Sequence, residues 1–405
     1  MFKSAVLTLI VFLTCLNVSP AFAQSSDSKV DMNISGEIHR GVMYYDDGDN
    51  PDFRHVDNDN DPTLFRFAGV TTQPIAGWFL GGLSEFEFAD NTSAKVTQAD
   101  DPSTDTDSFK IRKAELFFSS PKYGVLSFGR GNTASENTSE SDISGTFSAS
   151  HASVQKVGGG LFFANQAGGL SVVQINQVFN TLDGLDRQAR IRYDTPNFAG
   201  LVLSVSSSDH DQHDLAIRYQ EDLKGFKVKA PASYTNTASN ATLVDNQISG
   251  SVSVLLDSGI NLTLSSGIQN TKGADAGRDP SFIYGKLGYQ TQLNDLGFTA
   301  FSVDYGQYDE MRVVNEDGKT WGIQVLQKIA AWNTDIYITF RNFKLNNVAI
   351  GVKSLITGGV SIPDGSYIAP GSVITKQSQA DALPHSASAV LMRKPIRRWS
   401  MSTPV

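Results

Sequence analysis

In the stretch VDMNISGEIHRGVMYY, Val30, Met32, Ile34, Ile38, Val42 and Tyr44 fall on one parity, and Asp31, Asn33, Ser35, Glu37 and His39 on the other. A period of two held over roughly fifteen residues specifies an extended strand with one apolar and one polar face. Similar alternation recurs in TLFRFAGV, LSEFEF, QARIRYDTP, LVLSVSSSD, QISGSVSVLL, INLTLSSGI, FIYGKLGYQ, FTAFSVDYG, TWGIQVLQ and TDIYITFRN. These runs reach about eight to fifteen residues, longer than the five or six usual in soluble sheets and close to a tilted strand crossing a bilayer. Short turns (QPIAG, SPKYG, PNFAG, LNDLG) alternate with longer polar loops. If one parity faces lipid and the other a polar lumen, average hydropathy stays low although the chain lives in a membrane. An open sheet cannot leave unpaired edges in lipid, so it must close. The fold expected is all-β, a transmembrane antiparallel barrel.

The N-terminus has the organisation of an export leader: Lys3, the apolar run Ala5 to Leu16, and the small-residue site Ala21-Phe22-Ala23, so residues 1–23 are expected to be removed and the mature chain to begin at Gln24. The single cysteine, Cys15, lies inside that leader, which leaves residues 24–405 without a thiol, a disulfide or a cysteine metal site. The fold of an exported chain of this size then rests on pairing and packing rather than covalent staples.

The string SFKIRKAELFFSSPKYGVLSFGRGN, Ser108 to Asn132, reads as a hairpin with apolar groups toward lipid and a turn at Ser120 to Tyr123 on the periplasmic side. With LFRFAGV followed by GLSEFEF, and with VQKVGGGLFF and RIRYDTPNFAGLVLSVS, it resembles the general porins of Gram-negative outer membranes over about Val30 to Lys353. The resemblance implies an outer-membrane location, sixteen strands, homotrimers, and a third extracellular loop folded into the lumen as a constriction. Alternating segments number nearer eighteen, so the expectation is sixteen to eighteen strands within residues 24–356.

After GRGN no apolar alternation returns until VQKVGGG, and Thr133 to Ser153 is polar and serine-rich, with Glu136, Glu140 and Asp142. Irregular backbone at membrane depth is tolerated where it lines a cavity, which makes this segment the inward loop and its carboxylates the acidic side of an eyelet. The resemblance places a basic cluster opposite, on the barrel wall, at Arg66, Arg112 and Lys156. Arg66 also fits by parity, since Phe65 and Phe67 flank it. Arg112 shares the parity of Ala114 and Leu116, which leaves Lys113 as the alternative lumenal residue. Opposed charges across a narrow pore set up a transverse field that favours polar solutes.

The formal net charge of -9 adds a modest cation preference. Acidic loop strings such as YYDDGDNPDFRHVDNDNDP and QADDPSTDTD carry much of it, and are expected to be solvated and bridged to lipopolysaccharide by divalent ions. The run Asp57 to Asp61 alternates oxygen donors, but no bidentate Glu follows at the distance a Ca²⁺ helix-loop-helix demands, so no metal site is assigned. No cofactor and no nucleic-acid partner is expected; the partners are ions and small polar solutes. The six histidines, His39, His55, His151, His210, His213 and His385, form no catalytic or metal motif of known spacing, and Asp209 to His213 falls in a loop. A passive diffusion porin is therefore the reading, not an enzyme, with a barrel hydrolase of lipids or esters and a surface-binding adhesion barrel as the alternatives.

The C-terminus departs from the porin pattern. Asn347 to Ile356 is the last alternating stretch, and is expected to close the barrel against Val30 to Tyr44. Beyond it, residues 357–405 carry Ile362, Ile368 and Ile374 at six-residue intervals with Gly365 and Gly371 between them, which resembles the hexapeptide repeat of left-handed β-helix acyltransferases. This tail reads as a fusion or altered frame, expected on the periplasmic side.

Overall fold

The structure is a computed structural model that describes residues 6–15, 29–47, 51–99, 108–164, 169–209, 211–237, 243–273, 276–347 and the four residue pairs 349–350, 355–356, 367–368 and 373–374. Strands dominate it: β1 (Val6–Cys15), β2 (Val30–Asp46), β3 (Asp52–Val56), β4 (Leu64–Thr71), β5 (Phe79–Ala89), β6 (Ser108–Ser120) and β7 (Gly124–Asn132). Within the next loop lie the short β8 (Phe162–Ala164) and β9 (Leu170–Gln174) and one helical turn, α1 (Ile175–Val178). The wall resumes with β10 (Arg187–Asp194), β11 (Leu201–Ser208), β12 (Gln212–Leu223), β13 (Phe226–Thr237) and β14 (Val244–Leu256). It ends with β15 (Ile260–Thr271), β16 (Ser281–Asn294), β17 (Gly297–Asp309), β18 (Glu316–Ile329) and β19 (Thr334–Asn347). No helix among the described residues is long and apolar enough to cross a membrane; this chain crosses with strands.

Every wall strand pairs antiparallel with two neighbours, β7 meeting β10 and β19 meeting β1, so the pairing returns to its start as a ring of sixteen strands with β3 a short flap on β2. The burial pattern is that of a soluble sheet turned inside out. On β15, Ile260, Leu262 and Leu264 are exposed while Asn261, Thr263 and Ser265 are buried, because lipid solvates the outer parity and the lumen the inner. At the short-turn end Trp78 stacks on Tyr123 at 5.8 Å and Trp332 is exposed, the amphipathic rings expected at a headgroup boundary. The hairpin of β6 and β7 turns at residues 121–123, where Gly124 takes φ +86 with the Asp194 carbonyl too close for any Cβ.

Closure differs from expectation. The fifteen wall strands from Val30 to Asn347 are odd in number, so β2 and β19 run the same way and cannot pair antiparallel with each other; a sixteenth strand is required. The structure supplies it from residues 6–15, read above as part of the leader: Leu9 pairs with Tyr44 on one side and Phe340 on the other. Within the expected closing segment Asn347 to Ile356, residues 349–350 and 355–356 pair instead with the tail, in parallel. Ala349 matches Tyr367 and Leu355 matches Val373, an offset of eighteen residues each time, or three six-residue units. β19 ends at the long-loop end of the ring, so the tail departs from that end rather than from the short-turn side.

Candidate pore constriction

The third long loop runs from Thr133 to Asp186, well past the expected end at Ser153. VQKVGGGLFF is not a wall strand but part of this loop, as a 3-10 turn at Val154–Lys156 followed by β8. Its first stretch follows the inner wall from β11 to β19. There the serines and threonines of the polar parity meet the loop backbone: Ser251 Oγ donates to the Thr138 carbonyl at 2.7 Å, and Ser265 Oγ to that of Ser139 at 2.5 Å. Asn261 Nδ2 reaches the Ser144 carbonyl at 3.4 Å and Gln290 Nε2 that of Ile143 at 2.8 Å. Charged groups fix both ends. Asp214 accepts from the Ser135 amide at 2.8 Å, and Arg218 donates to the Ala134 and Glu136 carbonyls at 2.7 and 2.6 Å. Lys286 donates to Asp142 and to the Ser150 carbonyl, both at 2.7 Å, and Arg341 binds Ser150 Oγ at 2.8 Å and Asp304 at 2.6 and 2.8 Å.

The second stretch packs by burial. Val154, Val157, Leu161, Phe163, Ile175, Val178 and Phe179 form a core with Phe282, Tyr284, Tyr308, Tyr337 and Phe343 of the wall. Aromatic residues on the lumenal parity of FIYGKLG and TDIYITFRN were the available signal for this internal core. Periodicity alone treats the whole inner face as wet.

What remains open is a channel of about 590 Å³ between the loop and the wall of β2 and β4–β7. Glu136 and Glu140 line it from the loop, and Arg66, Arg112 and Lys113 from the wall. Lys156 lines it too, but stands on the loop itself, with its ammonium 3.7 Å from Glu140, rather than on the barrel wall. Asp142 does not face the channel: both it and Lys286 are inaccessible, and it serves to tie the loop down.

A register shift between Glu85 and Phe86 resolves the parity conflict on β6. Glu85 pairs with Lys113 but Phe86 pairs with Ile111, so Arg112 is the extra residue of a bulge and both basic side chains enter the lumen. Two carboxylates that sequence reading passed over bind this cluster. Glu85 accepts from Arg66 at 2.6 and 2.8 Å and from Arg112 at 2.9 Å, with Lys113 at 3.7 Å. Glu87 accepts from Lys110 at 2.9 Å and Arg112 at 2.8 Å. Arg66, Lys110, Arg112 and Lys113 against Glu37, Glu85 and Glu87 leave the lining wall strands β2 and β4–β7 with one net positive charge, held rigid by shared charge-assisted contacts.

On the loop side, burial, partly countered by Arg187 at 3.0 Å, pushes Glu136 up to about 8. Burial, offset in part by Lys156, pushes Glu140 up to about 7; it also accepts hydrogen bonds from Ser153 and, at 3.1 Å, from Thr181.

The run Asp57 to Asp61 is not a solvated outer loop. Asn58 donates to the Ser148 carbonyl at 2.8 Å, Ser148 Oγ donates to Asp61 at 2.8 Å, and Asp57 is fully buried, so the run folds inward against the third loop. His213 lies on β12, while His210 falls outside the described residues.

A family model, and not the solved structures, assigns the chain. A family model described as Gram-negative porin matches residues 7–347. No curated protein matches. Among solved structures, a loop-deleted form of OmpT, an outer membrane protein of Vibrio cholerae, is 11% identical with a TM-score of 0.49, covering 78% of this chain and 100% of that one. The anion-selective porin from Comamonas acidovorans is 13% identical with a TM-score of 0.44, covering 84% and 99%. OmpF of Salmonella typhi, in complex with daunomycin, is 11% identical with a TM-score of 0.39, covering 84% and 97%. With the family model spanning most of its length, the chain belongs to the Gram-negative porins, the diffusion channels of the outer membrane.

Proposed function

We propose that this porin passes small hydrophilic solutes and inorganic ions passively through the channel beside the third loop, with a weak preference for cations, above about pH 8, set by Glu136 and Glu140 against the Arg66, Arg112 and Lys113 wall. The observation that carries this reading is a channel lined by Glu136 and Glu140 from the loop and by Arg66, Arg112 and Lys113 from the wall. Water and ions crossing there meet fixed, partly desolvated charges, where local potential governs selectivity more than net protein charge does. His151 is buried and stacked on Phe147 at 4.3 Å, and His39 faces Glu37. Assembly as a homotrimer is the state carried over from other porins, and one solved OmpT of Vibrio cholerae is a trimer. The acidic outer loops would meet lipopolysaccharide through divalent ions. Planar-bilayer recording in a salt gradient tests the proposal: stepwise conductance with a small cation-side reversal potential supports it, and a non-conducting protein refutes it.

A further inference from the structure

Glu37 and His39 stand two residues apart on β2 and so share the lumenal face, and the inward fold of the first long loop brings Asp61 to them. One donor atom of each lies within 4.8 Å of the others, and His39 Nε2 is 3.5 Å from Glu37 Oε2. Two ligands of a tetrahedral zinc-class ion, each about 2.1 Å from the metal, stand about 3.4 Å apart, so this pair already has the required separation. The imidazole is a nitrogen donor between two carboxylates, a set that suits a borderline transition ion better than magnesium or calcium, which take oxygen. Two further observations point to a ligand. His39 is 4% exposed, so the ring nitrogen facing Glu37 is held beside the carboxylates with little competition from bulk water. Asp61 accepts a hydrogen bond from Ser148 Oγ at 2.8 Å, the kind of outer-shell contact that metal-binding carboxylates use. Glu37 and Asp61 also line the channel, so a fourth coordination position would open onto water there.

We propose that Glu37, His39 and Asp61 form a lumenal site for a divalent transition-metal ion of the zinc class, through which the ion modulates the pore. A bound dication would replace two negative charges beside the channel with a near-neutral centre, lowering cation passage. That consequence rests on the diffusion-channel reading; the binding does not. The first test therefore needs no conduction: the unmodified full chain, folded in detergent, is titrated with Co²⁺, and a visible absorption band of tetrahedral nitrogen and oxygen ligation, lost on adding zinc chloride, is the expected result. In bilayers, micromolar zinc chloride should reduce conductance and move the reversal potential toward anions, while magnesium chloride at the same concentration should not. His39→Ala should abolish the Co²⁺ band, and so should the Glu37→Gln, Asp61→Asn pair, which removes the other two ligands. Absence of a Co²⁺ band in the unmodified protein, or an unchanged band in His39→Ala, would overturn the site. A normal band with no zinc effect on current would keep the site and remove its role in the pore.

Discussion

The two halves of the lumen are built from different chemistry. From β11 to β19 the inner wall presents serine, threonine, asparagine and glutamine to the third loop, with a few fully buried ion pairs and an aromatic core above them. From β2 to β7 it presents arginines, lysines and glutamates to open channel. One half turns most of its polar groups to holding a loop, with Asn261 Oδ1, Tyr284 Oη and Thr339 Oγ1 among the few left without a partner. The other leaves charge partly exposed along the channel. The difference is one of fastening: Glu136 and Glu140 are carried by a loop that Asp214, Arg218, Lys286 and Arg341 hold against the far wall.

The largest effect should come from breaking the ring that both halves share. In detergent refolding, residues 1–347 should give a heat-modifiable, protease-resistant barrel, whereas residues 24–347, with fifteen strands, should not, because the edges of β2 and β19 then lie open in lipid at a cost of several kcal/mol for each orphaned group. Residues 24–405 sharpen the point: a resistant barrel from that chain would put 348–356 in the seam that residues 6–15 otherwise fill.

Next come the fastenings of the holding half. Arg341 and Asp304 are both inaccessible and paired at 2.6 Å, so Arg341→Ala leaves a buried carboxylate uncompensated, at about 3–5 kcal/mol. The expected outcome is a lowered unfolding temperature on gels with larger, noisier unitary currents. Asp142→Asn should behave like this fastening class, not like an eyelet variant, since its partner is Lys286. A change in selectivity without loss of thermal resistance in Asp142→Asn would return that residue to the pore.

How much of this was legible in the sequence follows from the range of each interaction. The long period-two runs, the short turns and the inward loop are local patterns, and the hairpin from Ser108 to Asn132 turns where SPKY said it would. Arg66 was legible because Phe65 and Phe67 flank it. Arg112 and Lys113 could not both be read as lumenal, because a bulge is set by pairing with β5 and leaves no mark on β6 alone. The pairing of Glu85 and Glu87 with that cluster, the anchoring of Asp142 by a lysine 144 positions away, and the inward fold of Asp57 to Asp61 are all contacts between distant segments. Strand parity carries no information about them. The identity of the closing strand was illegible for the same reason: two segments have suitable alternation or apolarity, and only the odd strand count demands one.

A smaller effect concerns pH in the open half. Glu136 near 8 and Glu140 near 7 are charged above those values and neutral below them, so cation preference should fall as pH drops from about 9 to about 6. The Glu136→Gln, Glu140→Gln pair should lose that dependence. Reversal potentials across that range measure it, and an equal slope in both proteins would detach these carboxylates from selectivity.

The claim that the two sides of the channel act oppositely on ions is tested most directly by reversal potentials of paired variants in a KCl gradient at pH 9, where both loop carboxylates are charged. Glu136→Gln with Glu140→Gln should move the potential toward anions, and Arg66→Gln with Lys113→Gln should move it toward cations, each by a several-fold change in permeability ratio. Shifts of the same sign, or potentials unchanged in both pairs, would contradict the account.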